Sequence, residues 1–79
     1  MRVIKVLGSG CADCLKLELA AAKAAQQAGI RAEIRKVTDE RRIRAYGIVN
    51  PPGLVIDGTV ASEGRVPSPR EIAGWLRAA

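Results

Sequence analysis

The chain has 79 residues, and Lys and Arg outnumber Asp and Glu 13 to 8, giving a net charge of +5. That length describes one small domain, spanning 1–79, near the lower size at which a single core holds a fold unaided. With no Phe, one Trp and one Tyr the core has to be aliphatic, and no apolar run approaches the roughly 18 residues of a membrane span. The charged stretch 1–7 is too short and too interrupted for a signal peptide. No membrane partner is expected, and the protein is expected in the cytoplasm.

In chain order, residues 2–7 are mostly apolar or β-branched, which suits a central strand buried on both faces. An Ala- and Leu-rich pattern over 12–28 predicts a helix closed by Gly29. Cys14, Leu17, Ala21, Ala24 and Ala28 recur at steps of three and four and share its inward face, while Lys16, Lys23 and Gln27 lie opposite. Next, Ile30, Ala32 and Ile34 alternate with Arg31, Glu33 and Arg35 as in a half-exposed strand. Thr38 is placed to cap a short helix that turns Ile43 and Tyr46 inward and stops at Gly47. Leu54-Val55-Ile56 and Thr59-Val60-Ala61 flank Asp57-Gly58, a strong two-residue hairpin signal. Ser68 and Glu71 make a capping box with Pro69 in the first helical position, and Ile72, Trp75 and Leu76 form the buried face of the last helix.

Arg31, Arg35, Lys36, Arg41, Arg42 and Arg44 concentrate the basic charge. Glu33, Asp39 and Glu40 interrupt them and no aromatic residue is interleaved for base stacking, so this is a solvated surface and no nucleic-acid partner is expected. Tyr46 and Trp75 fall on apolar helix faces and are core anchors. Lys5 stands within the buried first strand, either snorkelling to the sheet edge or lying near the cysteines.

The element order β-α-β-α-β-β-α predicts a parallel first pair of strands joined by a right-handed crossover, a hairpin beside them, and helices on both sheet faces. This is a three-layer α/β/α domain.

The only two cysteines, Cys11 and Cys14, stand two residues apart at the start of the first helix, in the frame Leu7-Gly8-Ser9-Gly10-Cys11-Ala12-Asp13-Cys14. Unpaired N–H groups and the helix dipole there favour a thiolate, the species that attacks disulfides and binds soft metals. In the cytoplasm such a pair signals redox or metal chemistry rather than a structural crosslink. Cys14 points to the core and Cys11, at the cap, stays near solvent. A structural zinc wants about four ligands, and this chain has no His and two Cys. One subunit could still offer two thiolates to Cu(I), or two subunits could share a metal. Thiol–disulfide exchange is the reading preferred, and a thiolate metal- or metalloid-binding module is the alternative.

The segment Ser9-Gly10-Cys11-Ala12-Asp13-Cys14 after a first strand resembles the active-site loop of glutaredoxins. Pro52-Gly53-Leu54-Val55-Ile56-Asp57-Gly58 resembles their proline–strand–hairpin segment. The chain from end to end is similar to small prokaryotic thioredoxin-like proteins with a redox-active disulfide. The resemblance implies a thioredoxin fold with a mixed four-stranded sheet in the order 2-1-3-4. It implies a nucleophilic Cys11, a resolving Cys14 and a cis proline at Pro52, packed across the loop from the disulfide. No cofactor is expected, and a monomer, a disulfide-containing protein as substrate and a thioredoxin-reductase-type enzyme as electron donor are the expected state and partners.

The neighbours of the cysteines shape the site. Gly10 stands where thioredoxins carry Trp, so the flat aromatic docking surface is missing, and Ala12 and Asp13 fill the gap between the sulfurs. The charge of Asp13 opposes a second negative charge on Cys11, which points to a reductant rather than a strong oxidant. Pro51 has no N–H to offer a bound peptide. Glu63, where glutaredoxins carry a Gly-Gly pair, would repel the carboxylate of glutathione. Glutathione is therefore a doubtful partner.

Overall fold

A computed structural model describes residues 1–78. The chain runs β1 (Arg2–Leu7), α1 (Ala12–Ala28), β2 (Ala32–Val37), α2 (Glu40–Ala45), β3 (Gly53–Ile56), β4 (Thr59–Glu63) and α3 (Pro69–Ala78). The single domain expected over 1–79 ends on Ala79, which lies outside the described residues.

The four strands form one sheet in the order β2-β1-β3-β4. β1 is parallel to β2, with Ile4 opposite Ile34, and antiparallel to β3, with Ile4 opposite Ile56. The β3–β4 pair is antiparallel with an irregularity between Leu54 and Val55. Asp57 (φ 48°) and Gly58 (φ 85°) make the left-handed turn the hairpin signal predicts. The Asp57 carboxylate also accepts the Val3 N–H at 2.9 Å and pairs with Arg2, tying the turn to the start of β1.

Strand alternation divides the core into two layers. On one face Ile4, Val6, Leu54 and Ile56 pack with Leu17, Ala21 and Ala24 of α1 and Ile72 and Leu76 of α3. On the other face Leu7, Val37 and Val55 pack with Ile43 and Ile48 beneath α2. The layers are α1 and α3, the sheet, and α2: the α/β/α arrangement of a thioredoxin fold. Small side chains on α1 (Ala20, Ala21, Ala24 and Ala25) are buried and let α3 approach closely. Each fully buried Leu or Ile contributes roughly 1.5–3 kcal/mol, so an aliphatic core of this kind needs few aromatics. Trp75 and Tyr46 are half-buried against the two clusters.

Several local features differ from the sequence reading. Asp39 caps α2, its carboxylate accepting the Arg41 N–H at 2.9 Å, so the cap falls one residue after Thr38. Asp is the stronger capping residue of the two, and Ile43 is buried one turn further on. Ile30 precedes β2, its N–H bonded to the Ala25 carbonyl at 3.0 Å as α1 closes. Lys5 reaches neither the sheet edge nor the cysteines. Its ammonium meets the Tyr46 hydroxyl at 2.9 Å on the α2 face. The basic surface is divided by ion pairs of Arg35 with Glu33 and Lys36 with Glu18. Among the described residues no helix is long and apolar enough to cross a membrane.

Candidate active site

β1 ends in the core at Leu7 and delivers a short loop, Gly8-Ser9-Gly10, to the start of α1. Gly10 has φ 85°, a left-handed conformation that an L side chain adopts only with strain. A Trp at this position would carry that strain, so the local backbone suits the residue present. The turn places Cys11 as the N-cap of α1, where its sulfur accepts the Cys14 N–H at 3.3 Å. Sulfur thus does here what a Ser or Asp oxygen does at other helix starts.

The two sulfurs occupy different surroundings. Cys11 is exposed and Cys14 is buried, both with free thiols. The Cys11 thiol is held below its ordinary range, first by a hydrogen bond from the Cys14 side chain and then by the Cys14 N–H, with the Asp13 N–H helping. All three are neutral donors at a helix N-terminus. Burial pushes the Cys14 thiol up, and the neighbouring Cys11 sulfur pushes it the same way. One sulfur is therefore prepared to ionise at the surface while the other is kept as a thiol beneath it.

Gly8, a residue the sequence reading passed over, makes this packing possible. It is buried, and a Cβ built on it would fall 2.2 Å from the Cys14 sulfur and 4.0 Å from Pro51 Cβ. The cysteine loop and the proline loop therefore meet over Gly8. The Pro51–Pro52 peptide is cis, Pro51 is exposed and Pro52 is buried. The Pro52 carbonyl accepts the Gly64 N–H at 2.9 Å, joining this loop to the end of β4. Glu63 reinforces the same junction: its carboxylate accepts the N–H groups of Val49 at 3.2 Å and Asn50 at 3.3 Å. The carboxylate is thus turned onto the loop that leads into the prolines.

Of the residues singled out in the sequence, Cys11, Cys14, Gly10, Ala12, Asp13, Pro51 and Pro52 lie at one end of the sheet. Ala12 and Asp13 are exposed in the first turn of α1. Beside them a groove of about 440 Å³ runs between the cysteine loop and α2, with Ser9, Ile43, Ile48, Val49 and Pro51 in its walls. Val49 on its rim is 81% exposed. Among the described residues no three Cys, Asp, Glu or His side chains are grouped to hold a metal ion, so a metal on these thiolates would need ligands from elsewhere.

A family model described as a thioredoxin domain matches residues 2–77, and the chain belongs to that family. Two relatives carry the similarity over nearly the whole length. The thioredoxin of Methanothermobacter thermautotrophicus is 40% identical over 72 residues, covering 91% of this chain and 94% of its own. The thioredoxin of Methanocaldococcus jannaschii is 39% identical over 77 residues, covering 98% of this chain and 88% of its own.

Proposed function

We propose that Cys11 and Cys14 form a dithiol–disulfide couple that reduces disulfides in other proteins, with Cys11 attacking and Cys14 resolving. By kinship with the two archaeal thioredoxins, the chain is a thiol–disulfide oxidoreductase of the protein-disulfide reductase type. The observation that carries the assignment of roles is the contrast between the sulfurs: Cys11 is exposed with a lowered pKa, and Cys14 is buried with a raised one.

The Cys11 thiolate attacks one sulfur of a substrate disulfide, forming a mixed disulfide and expelling the other substrate sulfur as a thiolate. Cys14 then loses its proton and attacks the Cys11 sulfur. The intramolecular disulfide forms, the mixed disulfide breaks, and the substrate leaves fully reduced. Two electrons pass from the cysteine pair to the substrate, and a thioredoxin-reductase-type enzyme restores the dithiol. An extended substrate segment fits the groove beside Cys11, against Ile48, Val49 and Pro51.

A reductant's role is supported by the donors at Cys11, which are amides and a thiol with no cation among them. Thiolates stabilised that way stay short of the strongly oxidising extreme, where the reduced form is so favoured that the disulfide is easily reduced. Pro51, with no N–H to pair with a bound peptide, argues against glutathione as the favoured partner.

The test is turnover of a protein disulfide such as that of insulin, driven by a thioredoxin-reductase-type enzyme or by glutathione with its own reductase. Reduction that is fast with the first donor, slow with the second and lost in Cys11→Ser supports the proposal. Faster turnover with glutathione would overturn the choice of donor, and activity retained by Cys11→Ser would overturn the mechanism.

A further inference from the structure

A partner segment laid in the groove beside Cys11 can be held through the backbone of residues 49–52 or through side chains. Along that loop the backbone offers it no donor. The N–H groups of Val49 and Asn50 are both taken by the Glu63 carboxylate, at 3.2 and 3.3 Å, and Pro51 and Pro52 have none. One rim of the groove therefore presents no free N–H over four consecutive residues, and strand-type pairing with the carbonyls of a bound segment fails there. Ile43 and Ile48, both buried, give the groove an apolar floor. The side-chain donors on its walls are the Ser9 hydroxyl and the Arg44 guanidinium. Arg44 is exposed, and its charge is not spent within the molecule. Ion pairs occupy Arg2, Arg35, Lys36 and Arg65, but among the described residues no carboxylate pairs with Arg41, Arg42 or Arg44. Glu40, one turn before Arg44, also lines the groove and makes no ion pair with it. Helix α2 thus turns three arginines and one carboxylate to the surface. Asp13, the acidic group next to the cysteines, belongs to α1 and is not in the groove wall.

We propose that Arg44 sets substrate specificity: it receives an aspartate or glutamate close to the attacked cysteine, in an extended acidic segment of the partner protein. The inference rests on the attacking role of Cys11 and on the docking of substrate in this groove. A guanidinium takes a carboxylate through two parallel N–H donors, which supplies the orientation that the loop 49–52 cannot. Apolar side chains of the segment fill the floor over Ile43 and Ile48. Glu40 repels a carboxylate at the first turn of α2, which leaves the Arg44 end of the groove as its place. Ser9 is neutral and does not discriminate by charge.

Peptides whose single cysteine is held in a disulfide with thionitrobenzoate provide the test. The Cys11 thiolate bonds to the peptide sulfur and the thionitrobenzoate sulfur leaves as a coloured thiolate, so each release reports one attack. Aspartate, asparagine or lysine is placed in turn at each position flanking the cysteine. Wild type is expected to react with the best aspartate peptide about fivefold faster than with its asparagine counterpart, the upper range of an exposed ion pair, and slowest with lysine. The preference should shrink in about 0.5 M salt, where such charges are screened. In Arg44→Gln it is expected to vanish, with the asparagine peptide and dithiobis(nitrobenzoate) still reacting within about twofold of wild type. Arg44→Glu should favour the lysine peptide. Equal rates of wild type with aspartate and asparagine, a fastest reaction with lysine, or a preference that survives Arg44→Gln would overturn the proposal. So would slowing of every peptide alike in Arg44→Gln, which marks a merely structural role. If wild type releases no thiolate from any peptide, or Cys11→Ser releases it as fast, the attacking role of Cys11 fails and the inference falls with it.

Discussion

The Cα of Gly8 and the sulfur of Cys14 are packed so closely that a single methyl group would not fit between them: a Cβ on Gly8 would lie 2.2 Å from that sulfur. The end of β1 is thus the seat of the buried thiol, and the asymmetry of the cysteine pair depends on it. Gly8→Ala is expected to push Cys14 out of place and to destabilise the fold by about 1–3 kcal/mol, the usual cost of overpacking. Urea unfolding measures the stability, and the rate of intramolecular disulfide closure measures the displacement. Unchanged values for both would show that the sulfur is seated elsewhere.

The lowered thiol of Cys11 and the raised thiol of Cys14 predict two separated titrations. Alkylation of Cys11 should inflect below the ordinary thiol value of about 8.5, and alkylation of Cys14 in a Cys11→Ser variant above it. Because the main support of the Cys11 thiolate is a hydrogen bond from the Cys14 side chain, Cys14→Ala should move the Cys11 inflection upward. Asp13→Asn should move it down, as expected for removing one screened negative charge at the surface. The sign for stability follows. A folded-state pKa lowered at Cys11 favours the reduced fold above the unfolded thiol's pKa, and this gain is lost as pH falls through the folded value. The raised Cys14 favours it below the unfolded pKa and loses that gain as pH rises through its own folded value. The two effects act on opposite sides of the unfolded value, so reduced-state stability should rise with pH up to about 8.5 and fall above it.

Much of this architecture is legible in the sequence because its signals are local. The steps of three and four from Cys14 to Ala28 mark α1, Asp57-Gly58 marks the hairpin, and Ser68 and Glu71 accept each other's backbone N–H as a capping box, the Glu71 N–H donating to Ser68 Oγ at 3.1 Å and the Ser68 N–H to Glu71 Oε1 at 3.5 Å. The cysteine pair itself is read from spacing alone. What escapes the reading depends on residues far apart in the chain. Lys5 finds Tyr46 across 41 positions, and Glu18 pairs with Lys36, which the parallel β1–β2 pairing brings alongside α1. Thr38 and Asp39 are adjacent cap candidates, and the stronger capping type, Asp39, takes the position. Gly8 carried a usable signal, a small residue directly between a buried strand and the cysteine loop.

Glu63 offers a test of how the proline loop is held. Its carboxylate accepts the Val49 and Asn50 N–H groups ahead of Pro51 and Pro52. Glu63→Ala is expected to lower stability by about 1 kcal/mol, the worth of a solvent-accessible charged hydrogen bond, and to raise KM for protein disulfides more than it alters kcat. Steady-state kinetics with a protein disulfide, beside urea unfolding, measures both. A variant with unchanged KM and stability would mean that the loop holds its shape without Glu63.

Lys5→Met separates the two faces of the sheet. Lys5 contacts Tyr46 on the α2 side, with its ammonium 5.6 Å from the ring centre, whereas Cys14 is a buried residue of α1. Losing an amine–phenol hydrogen bond while gaining apolar packing should change stability by less than about 1 kcal/mol. The Cys11 titration should stay where it is. A shifted titration would place Lys5 in electrical contact with the cysteines and contradict the geometry.

The division of labour between Cys11 and Cys14 is tested most directly by trapping the mixed disulfide. Reduced Cys14→Ser protein is mixed with a disulfide-containing protein, and the products are separated under denaturing, non-reducing conditions. A covalent adduct linked through Cys11, released by dithiothreitol and absent from Cys11→Ser, is the predicted result. An adduct formed through Cys14 in Cys11→Ser, with none in Cys14→Ser, would contradict the account.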